Sequence, residues 1–139
     1  MIALLAATMA TAPLMGGINQ TPVERLNYAA QHLGSSPGEL GYEAKRRNFD
    51  YRRHLLQAIE GKRAAVIALC EFTMAEIPPT AARHHGEVLA NLLQHFGDNL
   101  FSDALHDCRS SVRRRVLSVL DLQLGPDLPR TYRKTAELR

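Results

Sequence analysis

Apolar residues recur every three to four positions along most of this chain, the period of one face of an α-helix. Nowhere does a run of β-branched residues alternate with polar ones as a strand would, so the pattern predicts an all-α protein. Two stretches carry the same helix-start signal. Thr21-Pro22-Val23-Glu24 and Ser36-Pro37-Gly38-Glu39 both place a capping hydroxyl, a proline at the first helical position and a glutamate able to reach back. The first opens a helix with Val23, Leu26, Ala30 and Leu33 on one face, stopped by Gly34.

The second opens a much longer pattern, about residues 39–77, ended by Pro78-Pro79. Unbroken, such a helix would reach about 60 Å, with a bend or break expected at Gly61. Another helix is expected from Thr80 to Phe96, with His85, Val88, Leu89, Leu92 and Phe96 facing inward and Gly97 as its stop. The next is expected from Asp98 to Leu124, on a stripe of Phe101, Leu105, Cys108, Val112, Val116 and Val119 closed by Gly125-Pro126. The fold class that follows is a bundle of four to five helices with one long member. It would be elongated or a homo-oligomer, because a helix of that length leaves apolar surface uncovered.

Three regions differ in composition. Residues 1–20 form an apolar N-terminal segment whose first charge comes only at Glu24. No Lys or Arg precedes the apolar run, as a secretory signal would require, and Pro13, Gly16 and Gly17 interrupt it before it could span a bilayer. Three readings stand for it: a short helix docked on the core or a partner, membrane contact through residues 1–18, or a cleaved signal. Residues 21–125 form the helical domain. Residues 126–139 form a basic tail, either frayed or a short last helix.

A chain of 139 residues with 45% hydrophobic content can bury the core of one domain. Its net charge of +3 permits an acidic partner without requiring one. Cys70 and Cys108 lack metal-ligand spacing and are expected as buried helix residues.

Gly34-Ser35-Ser36-Pro37-Gly38 matches the G-x-S-x-G pattern of a hydrolase nucleophile elbow. An elbow follows a strand and uses the N–H after the nucleophile. Here a helix comes first, and Pro37 has no N–H to give. Ser36 is therefore expected to cap a helix. Residues 26–45 also resemble a helix-turn-helix, with Ala30, Gly34 and Leu40 at the small, turn and anchor positions above Leu33. Ser35 and Glu43 depart from it, standing where apolar residues belong.

A more physical signal lies in "EAKRRNFDYRRHLL". On a continuous helix Lys45, Arg46, Phe49, Arg52 and Arg53 share one face, which farther along becomes the apolar stripe of Leu56, Ile59, Val66, Ile67, Cys70 and Met74. A basic patch around an aromatic suits an acidic partner, nucleic acid or an acidic protein surface. The alternative is a solvated helix end whose long stems cover Phe49. Arg109, Arg113, Arg114 and Arg115 fan around their helix and are expected in salt bridges, with Asp103 and Asp107 among the partners.

His84, His85, His95 and His106 form no metal-ligand spacing, and no phosphate-cradling glycine loop is present, so no metal and no cofactor are expected. No acid, base and nucleophile converge, so no catalytic residues and no enzyme are expected. The first functional reading is a non-enzymatic, cytoplasmic binding or regulatory protein using the basic face on nucleic acid. The second is a structural or assembly component, membrane-associated or in a virion, derived from a phage or mobile element. An apolar segment joined to polar helices resembles the layout of small phage internal-virion proteins, with no shared motif. The third is an inhibitor that covers a target protein.

Overall fold

Pro79, preceded by a proline that cannot extend the helix backward, begins the helix around which the others assemble. A computed structural model describes residues 20–138, and the apolar segment of residues 1–18, with the readings placed on it, lies outside them. Eight helices are present among the described residues: α1 (Pro22–Gln31), α2 (Leu40–Arg46), α3 (Tyr51–Ile59), α4 (Arg63–Phe72), α5 (Pro79–His106), α6 (Ser110–Leu124), α7 (Asp127–Thr131) and α8 (Arg133–Ala136). The fold is all-α. Helix α5 packs against α1, α2, α4, α6 and α8. Val88, Leu89, Leu92 and Leu93 of its first half and Phe101 and Leu105 of its second are almost wholly buried. Gly97, the expected stop, does interrupt it, with φ 83° and ψ 172°.

The start of α1 is as read from the sequence. Thr21 accepts from Glu24 N–H and the Glu24 carboxylate accepts from Thr21 N–H, with Pro22 in the first turn. The 39–77 helix is not. It is three helices, α2, α3 and α4, parted at Asn48, where no break was expected, and at Gly61, where a bend or break was, and each interruption has the same construction. At the first, Asn48 takes φ 57°, Phe49 N–H donates to Ala44 O and Asn48 N–H to Lys45 O. At the second, Gly61 takes φ 91°, Lys62 N–H donates to Gln57 O and Gly61 N–H to Ala58 O. This is the Schellman closure, in which a left-handed residue lets the chain turn back over its last carbonyls. Asp50 then caps α3 by accepting from Arg53 N–H.

The breaks also shift the helical phase. Leu55 and Ala58 are buried on α3, while Leu56, expected in the stripe, is 39% exposed. No helix of about 60 Å spans residues 39–77, so the uncovered apolar surface from which a homo-oligomer was expected does not follow from this segment.

The expected helix 98–124 is likewise two, parted at Asp107–Arg109. Its stripe survives the break: Phe101, Leu105, Cys108, Val112 and Val116 are all buried, with Val119 part-buried. Arg113 donates to the carbonyls of His106 and Cys108, carrying the junction's unpaired acceptors. The tail is docked rather than frayed. Leu128 and Thr135 are fully buried, and the Asp98 carboxylate accepts from the N–H groups of Lys134 and Thr135. No described helix is long and apolar enough to cross a membrane.

Candidate functional site

The corner between α1 and α2 sets the geometry of the basic residues. Pro37 and Gly38 occupy the middle of a tight turn closed by Glu39 N–H to Ser36 O at 3.0 Å, with Gly38 at φ 91°. Ser36 is therefore not the helix cap: α2 starts at Leu40 with Glu39 as its N-cap, and the Glu39 carboxylate reaches back to Ser36 N–H at 2.8 Å. The backbone of α2 touches the loop that follows α1 here, since Gly41 N–H donates to Leu33 O at 2.8 Å and a Cβ on Gly41 would fall 2.2 Å from Gly34 O.

Glu43, the residue that departs from the helix-turn-helix pattern, holds the corner from beneath. It is buried and accepts from Gly38 N–H at 3.0 Å and from Arg47 Nη1 at 2.9 Å. The Gly38 N–H first, and then Arg47, hold its carboxyl below the usual carboxylate range. Arg47 also donates to the carbonyl of Glu76, tying the corner to the α4–α5 connection.

Above this framework lies an open groove of about 1020 Å³ between the end of α1, the corner and the start of α3. Lys45 and Arg46 from α2 and Arg52 from α3 line it together. Lys45 and Arg52 form no ion pair among the described residues, and Arg46 only approaches Glu43, at 3.8 Å. A smaller cavity of about 480 Å³ adjoins it, with Lys45 and Arg52 again on its wall and Phe49 beside them. Arg53 is not part of this group. It lies 4.0 Å from the Asp50 carboxylate and faces a neighbouring depression with Leu56 and Glu60, whose wall includes Arg52 but neither Lys45 nor Arg46.

Phe49 is placed unlike the exposed aromatic of the continuous-helix picture. It is half-buried, stacked on His54 with centroids 4.4 Å apart and on Phe72 at 4.6 Å. One face of a phenyl ring has room for one parallel neighbour, so these two rings cover opposite faces. Tyr51 meets it edge-on at 5.9 Å. With both faces taken, Phe49 supports the wall of the groove and has no face left for a base.

Several features had weak or no sequence signal. The Tyr28 and His32 rings stack at 3.9 Å at the end of α1, and His32 lines the groove. Tyr51 and His85, 34 positions apart, share a buried hydrogen bond at 2.6 Å, and His85 Nε2 meets Thr73 Oγ1 at 2.9 Å. Burial, with His84 beside it, lowers the His85 pKa to about 3, so it is a neutral core histidine.

The cysteines are both buried and free, and their thiols interact with each other, Cys108 lying in the α5–α6 junction rather than in a helix. That contact, with burial, raises the Cys70 thiol, whereas it lowers Cys108. The arginine cluster of α6 does not take the acids expected for it. Asp103 and Asp107 pair with Arg63 of α4 at 3.3 and 2.5 Å, while Arg113 serves carbonyls. Among the described residues no group of three or more His, Cys, Asp or Glu side chains is placed to hold a metal ion.

Comparison of the chain with family models, with curated proteins and with solved structures finds no match, so the groove stands on its own geometry.

Proposed function

We propose that this is a non-enzymatic binding protein whose groove at the α1–α2 corner receives the phosphates of a nucleic acid. One observation carries the reading: Lys45 and Arg52, from different helices, border the same groove with no ion pair among the described residues, Arg46 joins them there, and the carboxylates on the walls, Glu39 and Asp50, accept from the N–H groups of Ser36 and Arg53. An unpaired cation on a surface is cheap to leave solvated, but cations gathered around a concavity raise the local potential and hold an anion at more than one point. Guanidinium groups add two-point geometry on phosphate oxygens. The rigid corner beneath them, fixed by Glu43 and Arg47, means that little ordering is left to complete on binding.

The test is a mobility-shift titration at two salt concentrations. Affinity should fall as salt rises, with a log–log slope near −0.9 per phosphate neutralised on a duplex and about −0.7 on a single strand. Lys45→Glu with Arg52→Glu should abolish binding at unchanged helix content, and Arg53→Glu should have a smaller effect, since Arg53 lies off the groove. Absence of binding to any strand at either salt concentration would end this reading.

A further inference from the structure

The groove contains a ring that the basic-face pattern does not include. His32, at the C-terminus of α1, is exposed and lines the groove with Lys45, Arg46 and Arg52. Its ring lies nearly parallel to that of Tyr28, with centroids 3.9 Å apart and 16° between the planes. Its Nδ1 lies 2.8 Å from the Tyr28 carbonyl, and since a carbonyl only accepts, Nδ1 carries the hydrogen and donates it. Its own N–H donates to Ala29 O at 3.1 Å, fixing the backbone beneath. One ring face is thus covered by Tyr28, the ring plane is held by a hydrogen bond, and the accessible face is the one turned away from Tyr28. Phe49, with both faces covered by His54 and Phe72, offers no such surface.

We infer that the groove selects a single-stranded segment of nucleic acid, with an unpaired base stacked on the free face of His32 and its flanking phosphates held by Lys45, Arg46 and Arg52. The inference rests on the groove being a nucleic-acid site and adds which form of nucleic acid it takes. A flat ring beside a charged wall suits a strand whose bases can leave their stack. In a duplex both base faces are already used, so a stacking platform adds nothing while the phosphate contacts remain. A ring held in advance by Tyr28 gives up no rotamer freedom when the base arrives.

The experiment measures binding of a labelled oligothymidylate and of its duplex with oligoadenylate, by fluorescence anisotropy at one fixed salt concentration. Four full-length proteins are compared: unaltered, His32→Ala, His32→Phe, and Lys45→Glu with Arg52→Glu. The single strand should bind more tightly than the duplex to the unaltered protein. His32→Ala should weaken single-strand binding by about 5- to 100-fold and change duplex binding by less than about twofold, and His32→Phe should retain most of the single-strand affinity. Because His32 is exposed, His32→Ala should keep its helix content, which circular dichroism checks. If His32→Ala leaves single-strand affinity unchanged while the charge reversal removes it, the stacking inference is overturned and the phosphate groove stands. If the unaltered protein prefers the duplex, the single-strand selection is overturned in the same way. If the unaltered protein binds neither, the groove reading fails and this inference with it.

Discussion

Tyr51 donates its phenol hydrogen to Nδ1 of His85 across 2.6 Å, joining the first turn of α3 to the first half of α5 in the interior. The direction follows from the other end of the network. Thr73 Oγ1 is placed to donate to Leu69 O, so His85 Nε2–H donates to Thr73 and Nδ1 is left to accept. Phe72 packs edge-on against both rings, at 5.5 Å from Tyr51 and 5.3 Å from His85. A polar chain closed in this way costs little while complete and much when one member is removed. Tyr51→Phe keeps the ring and leaves Nδ1 without a donor, so chemical denaturation should show a loss of about 1–3 kcal/mol.

The same histidine makes stability depend on pH. Its folded pKa of about 3 lies below the ordinary 6.5, so between those values the unfolded chain binds the proton and the folded one does not. The contribution is complete above about pH 6.5 and is lost as pH falls toward 3. Between pH 7.5 and pH 5 the loss from His85 alone should be about 2 kcal/mol. His85→Gln should flatten that part of the curve, measured as the difference in unfolding free energy between the two pH values for each protein. An unchanged slope in the variant would place the pH dependence elsewhere.

Gly61 discriminates between the continuous helix suggested by the apolar spacing and the three helices found. In a helix interior, Gly61→Ala would raise stability by about 1 kcal/mol. At φ 91°, with open space around the added methyl, it should instead lower stability by about 1 kcal/mol, from backbone strain alone. The sign, read from urea titration, decides. The Thr21 capping box, the Pro78-Pro79 stop and Gly97 were legible because each is a local signal between neighbouring residues, whereas the same start signal at Ser36 marks only a turn, since Glu39 is the N-cap there. The break at Asn48 was not, although Asn48 tolerates a left-handed turn and Asp50 is a good cap. The helical spacing from Glu43 to Leu56 runs through both without a visible fault, and only the phase of burial, Leu55 in and Leu56 out, reveals it.

The break at Asn48 also sets where the basic-face residues fall. Four of the five basic-face residues lie near the groove, because a Schellman turn followed by a new helix still returns Arg52 toward Lys45. Phe49 falls inside the turn itself and is drawn into the aromatic stack. Phe49→Ala should therefore cost about 2 kcal/mol or more in stability, through lost packing against Phe72 and His54. Phe49→Leu, which keeps most of the volume, should leave the affinity for the proposed nucleic-acid partner within about twofold of the unaltered protein, since His54 and Phe72 already stack on this ring. The place of His32 in the groove was not legible, because it depends on Tyr28 stacked behind it and on Lys45 and Arg52 lining the same groove, a relation that no spacing along one helix encodes.

The C-terminal tail hangs on one carboxylate. Asp98 follows the Gly97 break directly, and both of its oxygens are used, Oδ1 on Thr135 N–H and Oδ2 on Lys134 N–H, each at 2.8 Å. Those N–H groups belong to the first turn of α8, which has no side-chain cap of its own. Asp98→Ala leaves both donors to water and should cost about 0.5–2 kcal/mol. The loss should be local before it is global, because α8 is short and its anchor, Thr135, is buried only through this docking. Limited trypsin digestion should therefore cut sooner at Arg130, Arg133 and Lys134 in Asp98→Ala, while the midpoint of global unfolding moves little. Asp98→Asn, which keeps one accepting oxygen, should fall between the two. Equal cleavage rates in all three proteins would show that Leu128, the fully buried residue of α7, holds the tail without help from Asp98.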